Sequence, residues 1–326
     1  MQGTEKDTQV IHPWVAEGLQ KVRVGVSFLG SGADWKEFYD NAQAAEELGY
    51  DSIWVPDHPT IAPDCWTLLA ALAVTTRNLR LGSFVACVFF RHPLLLAREA
   101  ADVDRWSGGR LVLGLGIGDI PFEFEQLGIP FLKTPERQAA LAETIEVLKG
   151  IWDAPPLTYT GKYVQTRQAQ IPFGPVQQPY VPLLIGGGGE RTTLRQVAQY
   201  ADASNFGPHM YTGSATSMED VKRKCSVLRT HCEAVGRPVD AVLRTHTALP
   251  VILGETPDII AAKQETMPPE MREFFRTGMV TGSVDEIIAY YSALVQAGIQ
   301  YFIIGIIPGD LETLQVFSQQ VMPALS

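Results

Sequence analysis

Residues 91–119, RHPLLLAREAADVDRWSGGRLVLGLGIGD, constrain the fold most, because this one span reads as helix, turn and buried strand in immediate succession. Leu94, Leu95, Ala97, Ala100, Ala101 and Val103 keep helical spacing, and Pro93 stands at the start, where a missing N–H costs nothing. Gly108-Gly109 then breaks the helix, since glycine adopts the left-handed backbone on which helices end. Arg110 opens the apolar run LVLGLGI, which does not alternate and so predicts a parallel strand covered on both faces. Gly114, Gly116 and Gly118 alternate along this strand and its exit. Withholding side chains there suits either tight packing or a flat ligand approaching the backbone. These glycines are not a dinucleotide fingerprint, which needs GxGxxG opening a helix, whereas an irregular, aromatic-rich stretch follows here.

The same plan recurs along the chain. VRVGVSFL from Val22 reads as strand one, and residues 34–48 place Trp35, Phe38, Ala42, Ala45 and Leu48 on one helical face closed by Gly49. DSIWV is strand two, residues 66–74 are helical, and LRLGSFVACV is strand three. After strand four come an excursion over 120–135, a helix over 136–151, and a polar, proline-rich segment with a hairpin around Gly161. VPLLIG is strand five, a helix over 190–200 starts straight after four glycines, and DASNF is a short strand six. A helix over 218–235, a strand over 241–253 and a helical excursion over 256–277 follow. Ser283 caps the next helix, with Glu286 at the reciprocal capping-box position, before strand eight, YFIIGI, and a last helix over 310–321.

Eight strands each followed by a helix predict an α/β fold, a (β/α)8 TIM barrel with insertion segments over its C-terminal face; a doubly wound sheet is the rival. Residues 1–21 read as a loose N-terminal arm and 22–326 as a single barrel domain, since no second composition regime appears. A chain of 326 residues, 46% hydrophobic, has ample core for this. A net charge of −10 excludes nucleic acid and anionic membranes as expected partners, because both demand a basic face. The four cysteines, Cys65, Cys87, Cys225 and Cys232, have neither zinc nor disulfide-framework spacing, and no leader or 18-residue apolar run is present. A cytoplasmic protein with a small-molecule substrate is expected.

In such a barrel the chemistry lies at the carboxyl ends of the strands. After strand two come Pro56, Asp57 and His58; after strand three, Cys87 through Arg91-His92; after strand four, Gly116 to Asp119. Strand five exits through Gly186, Gly187, Gly188, Gly189, Glu190 and Arg191 into a helix, an arrangement that predicts a phosphate on backbone N–H groups with Arg191 as a fork of donors. His58 is either a surface histidine beside a proline turn or a catalytic acid or base, and its place beside Asp57 at a strand exit favours the second. His92 reads as a helix-entry residue, while His12, His209, His231 and His246 are scattered without metal spacing, so no metal site is expected.

Taken together, YDSIWVPDH, LGSFVACVFFRHP, DRWSGGRLVLGLGIGD, PLLIGGGGERTTLRQVAQYADASN and TGSVDEIIAYYSALVQAGIQYFIIGI resemble the bacterial-luciferase-like superfamily of flavin and deazaflavin oxidoreductases, in the same order and from about Val22 to Ile306. Within it, GGGGERTTLR is similar to the branch that uses coenzyme F420; the alternative is an FMN-dependent monooxygenase, which would need a partner flavin reductase. The resemblance implies a homodimer, with the cofactor ring in the barrel mouth and its phosphate on Gly186 to Gly189 and Arg191. It implies that Asp57 contacts the ring's polar edge and that His58 is the acid or base beside the reacting carbon. It further implies a non-prolyl cis peptide at Phe84-Val85, with Ile117, Gly118 and Asp119 lining the cofactor. Two departures, Ala62 where sugar-phosphate oxidising relatives have tryptophan and Asp119 as the acidic partner after strand four, argue against a sugar-phosphate substrate. The aromatics of the two excursions, Phe122, Phe124, Phe131, Phe274 and Phe275, predict an apolar substrate wall.

Overall fold

The predicted strands pair side by side in chain order and close on themselves. In a computed structural model that describes residues 11–30, 34–209 and 214–325, they form an eight-stranded parallel barrel. Its strands are β1 (Arg23–Phe28), β2 (Ser52–Val55), β3 (Arg80–Ser83, resuming as Ala86–Cys87), β4 (Leu111–Gly116), β5 (Leu183–Gly186), β6 (Ala203–Phe206), β7 (Leu243–Ala248) and β8 (Tyr301–Ile306). β8 pairs with β1 from Arg23↔Tyr301 to Phe28↔Ile306, which closes the ring and disposes of the doubly wound alternative. A closed parallel sheet leaves no strand edge exposed and requires helices over its outer face.

Those helices form where apolar periodicity and caps demand them. Asp34 caps the helix Trp35–Glu47 through Lys36 N–H, and Gly49 leaves it at φ +80°. Asp64 caps the helix Cys65–Thr75, and Gly108 ends the helix Pro93–Ser107 in the left-handed region. No helix among the described residues is long and apolar enough to cross a membrane.

The barrel interior is a small core of its own, where Trp14, Trp54, Val112, Leu184, Leu243 and Tyr301 meet, with Phe84 and Val85 against it. Trp54 spans it because its neighbours give way: a Cβ on Gly25 would lie 2.5 Å from the indole nitrogen, and one on Gly82 2.1 Å from its Cε3. Only glycine fits at both places. Below it runs a buried chain of hydrogen bonds, Trp54 Nε1 to Ser52 Oγ (2.6 Å), Ser52 to Tyr301 (2.5 Å) and Tyr301 Oη to Asp51 (2.6 Å), so no polar atom in this chain is left unpaired.

Four expectations change. The supposed arm contains a helix, Pro13–Gln20, capped by His12; its Trp14 is 1% exposed and plugs the lower end of the barrel, held by Arg23 Nη2 on Trp14 O. Residues 1–10 lie outside the described set. The strand expected over 241–253 breaks at the cis Leu249-Pro250 bond, and Val251–Leu253 leaves the barrel to pair with Val280–Gly282. The helix expected from Glu190 begins at Thr193, because Gly188 O accepts from Lys224 and Glu190 O is bound by His231, tying this turn to the helix Met218–Ala234 instead. The last helix stops at Val316 and continues as a π-helical turn over Phe317–Val321.

Candidate active site

At the carboxyl ends of the strands lies a cavity of about 570 Å³. Its back wall is the interruption in β3, where the Phe84-Val85 peptide is cis, as the resemblance implied. Val85 points across the barrel at three glycines. A Cβ on Gly116 would lie 2.6 Å from Val85 Cγ2, one on Gly114 3.1 Å from Val85 Cγ1 and 2.1 Å from Ser83 O, and one on Gly186 3.2 Å from both γ carbons. The alternating glycines of β4 therefore make room for the bulged strand, and for Gly114 packing is the whole account. Gly116 and Gly186 do both jobs, since they also line the cavity together with Ile117, Gly118, Asp119 and Gly187. Gly118 is at φ +73° and Gly187 at φ +113°, conformations that L side chains rarely adopt.

Asp57 and His58 leave β2 side by side but serve different partners. Both Asp57 oxygens lie 2.9 Å from Arg91 Nη1, and Oδ2 also accepts the Cys87 N–H at 3.1 Å. Arg91 in turn reaches Asp64 and Glu99. Burial pushes the Asp57 carboxyl up, with Arg91 pulling against it. This residue ties the exits of β2 and β3 together, so its oxygens are already engaged where a contact to a ring edge was expected.

His58 Nδ1 lies 2.8 Å from Glu123 Oε2, while Glu123 Oε1 accepts from Thr60 Oγ1 at 3.2 Å. Glu123 comes from the short helix Pro121–Gln126 and is 1% exposed. Burial pulls the His58 pKa down, but the hydrogen bond and charge of Glu123, helped by Asp119 and Asp57, outweigh it and raise the imidazole above its ordinary value. Among the described residues His58 Nε2 has no protein partner, which leaves it for a ligand in the mouth.

A second imidazole stands nearby. His209 lines the cavity, with Nε2 3.9 Å from Asp119 Oδ2 and its ring edge-on to Phe274; burial lowers its pKa. Reading the histidines for metal spacing missed it. The strand-exit rule would have found it, since it lies three residues past the end of β6 (209 − 206), as His58 lies three past β2 (58 − 55). Glu123 was missed because its excursion was read for aromatics; the acidic partner of His58 is Glu123, with Asp119 facing His209 instead.

Of the other expected site residues, Gly188, Gly189 and Arg191 are not in the cavity wall. Arg191 is exposed, with no ion pair or hydrogen bond from its guanidinium among the described residues. Phe122 is exposed, the part-exposed Phe131 packs on Phe124, and Phe124 is buried against it and Phe90, so only Phe274 and Phe275 of the five predicted aromatics reach the mouth.

A parallel (β/α)8 barrel whose mouth pairs an imidazole with a buried carboxylate beside a cis-peptide bulge has the layout of a barrel enzyme's active site. The chain belongs to the luciferase-like monooxygenase family, whose model matches residues 20–301. Among solved structures it is similar to the coenzyme F420 dependent tetrahydromethanopterin reductase from Methanopyrus kandleri, at 20% identity and a TM-score of 0.77 over 94% of this chain and 100% of that one. An F420-dependent secondary alcohol dehydrogenase is 18% identical, with a TM-score of 0.78 over 94% and 99%. A monooxygenase from Streptomyces bottropensis is 21% identical, with a TM-score of 0.78 over 93% and 100%. At these identities the likeness is one of fold.

Proposed function

We propose that the mouth binds coenzyme F420 and that the enzyme moves a hydride between it and a small, largely apolar organic substrate. The observation that carries this reading is the His58–Glu123 pair at 2.8 Å in an aromatic cavity, a proton-handling group set where a hydride acceptor would lie. The GGGGERTTLR exit supports F420 over FMN. The residues fit a flat ring: Gly116, Gly118, Gly186 and Gly187 line the cavity beside the Phe84-Val85 bulge, and a Cβ on Gly187 would meet only Thr193 Cγ2, at 3.6 Å.

When bound, a deazaflavin supplies a carbon centre that accepts or donates hydride and reacts poorly with oxygen. The protein's part is to orient and to move one proton. Gly186 and Gly187 in the wall, with Gly188, Gly189 and Arg191 just outside it, would hold the phosphate side, Ile117 to Asp119 would line the cofactor, and His58 Nε2 would exchange the proton while Glu123 holds the imidazole's other nitrogen. Asp57 is a positioning residue that acts through Arg91 and the β3 exit.

The test is a pair of titrations of the purified protein with F420 and with FMN, followed by fluorescence. F420 should bind more tightly. Tighter FMN binding with substrate-dependent oxygen consumption would replace this reading with an FMN-dependent monooxygenase served by a flavin reductase. We also propose a homodimer, which light scattering of the purified protein tests directly.

A further inference from the structure

The charges around the mouth are one-sided. Its wall carries the carboxylates of Asp57, Asp119, Glu123 and Glu270 and the imidazoles of His58 and His209, with no lysine or arginine among the lining residues. Two of these carboxylates are already compensated, Asp57 by Arg91 behind it and Glu123 by His58. Glu270 sits exposed on the helix Pro269–Phe275.

Asp119 differs from the others. It makes no hydrogen bond among the described residues; His209 Nε2 lies 3.9 Å away, with burial lowering the pKa of that imidazole, and Arg137, which is outside the cavity wall, donates to the backbone carbonyl of Ile117 rather than to the Asp119 carboxylate. A half-buried carboxylate thus faces a cavity walled by Phe28, Phe206, Leu249, Met271, Phe274 and Phe275. Aromatic faces and a carboxylate without a hydrogen-bonded counter-ion both attract a cation and both repel an anion. An anionic substrate would lose its hydration here and face the Asp119 carboxylate, with His58 already paired to Glu123.

We propose that the substrate carries a cationic nitrogen, an ammonium on an apolar body, and that Asp119 is the specificity-determining residue that pairs with it. This rests on the proposed function in one respect, that substrate and cofactor share this mouth.

Calorimetric titration of the purified protein with three isosteric probes, 2-phenylethylammonium, 2-phenylethanol and phenylacetate, reads the preference directly. The ammonium should bind roughly 10- to 100-fold more tightly than the alcohol, the scale of a hydrogen bond to a charged group, and the carboxylate more weakly than either. Asp119→Asn should bring the ammonium down to the alcohol's affinity, and Asp119→Glu, which keeps the charge, should retain the preference. Phenylacetate binding as tightly as the ammonium, a preference that survives Asp119→Asn, or no binding by any of the three would overturn the proposal. The F420 and FMN titrations separate the two readings. Cofactor binding without an ammonium preference sinks this inference alone, and an ammonium preference without binding of either cofactor sinks the proposed function alone.

Discussion

His58 Nδ1 and Glu123 Oε2 are 2.8 Å apart although 65 residues separate them in the chain. The contact joins the exit of β2 to the helix that follows β4, and it decides which imidazole nitrogen faces a ligand. With Nδ1 bound to a buried carboxylate, the ring is oriented and Nε2 is the nitrogen that can exchange a proton.

Because Glu123 raises the His58 pKa, the imidazolium persists to higher pH than in a free histidine. Glu123→Gln should move the histidine limb of the turnover profile to lower pH. His58→Ala should cut turnover by about 10²–10⁴-fold, with cofactor affinity nearly unchanged. Wild-type turnover in His58→Ala across the pH range would leave the residue no chemical role. Folding follows the same linkage: a raised folded-state pKa contributes stability that is fully present below the unfolded value and lost as pH rises through the folded one. Melting temperatures of wild type and His58→Ala should diverge at acid pH and converge on going alkaline.

Arg191 is exposed and takes no part in an ion pair among the described residues, so its removal should not lower the melting temperature. Arg191→Ala should nevertheless weaken cofactor binding by roughly 1.5–3 kcal/mol, the scale of a charge-assisted hydrogen bond. An unchanged dissociation constant removes it from the phosphate site.

Gly116 and Val85 compete for one volume. Gly116→Ala puts a methyl 2.6 Å from Val85 Cγ2 and should destabilise the protein by about 1–3 kcal/mol, as overpacking does. Trimming Val85 to Ala in that background should recover part of the loss, which denaturant melts of the two single variants and the double variant can measure. Strictly additive costs would show that the two residues do not interact.

Trp14 is 1% exposed inside the lower end of the barrel. Trp14→Ala should therefore cost about 3–5 kcal/mol, the range for emptying a buried aromatic site. An arm without tertiary role would show almost none of this in a chemical denaturation curve.

Much of the architecture is local and was readable as such. Ser283 caps its helix where the residues alone placed it, because a cap needs only its own first turn. The strand exits followed from the alternation of apolar runs and helices, and they delivered Asp57, His58, Ile117, Gly118, Asp119, Gly186 and Gly187 to one cavity. The place of the cis peptide came from family resemblance instead; nothing in the residues Phe84 and Val85 themselves demands it.

Partnership was not readable in this way. Glu123 reaches His58, Asp57 is taken by Arg91, and Gly114 stands where Ser83 O and Val85 press close, each across a separation of about 30 residues or more. The amino-acid sequence determined which residues arrive at the mouth, because secondary structure and chain order are set by near neighbours and by an apolar pattern with a fixed period. Only the closed barrel decided which of them touch. Closure brings unrelated exits within a few ångströms, and there hydrogen bonds, charge and steric room select among partners that no local pattern ranks.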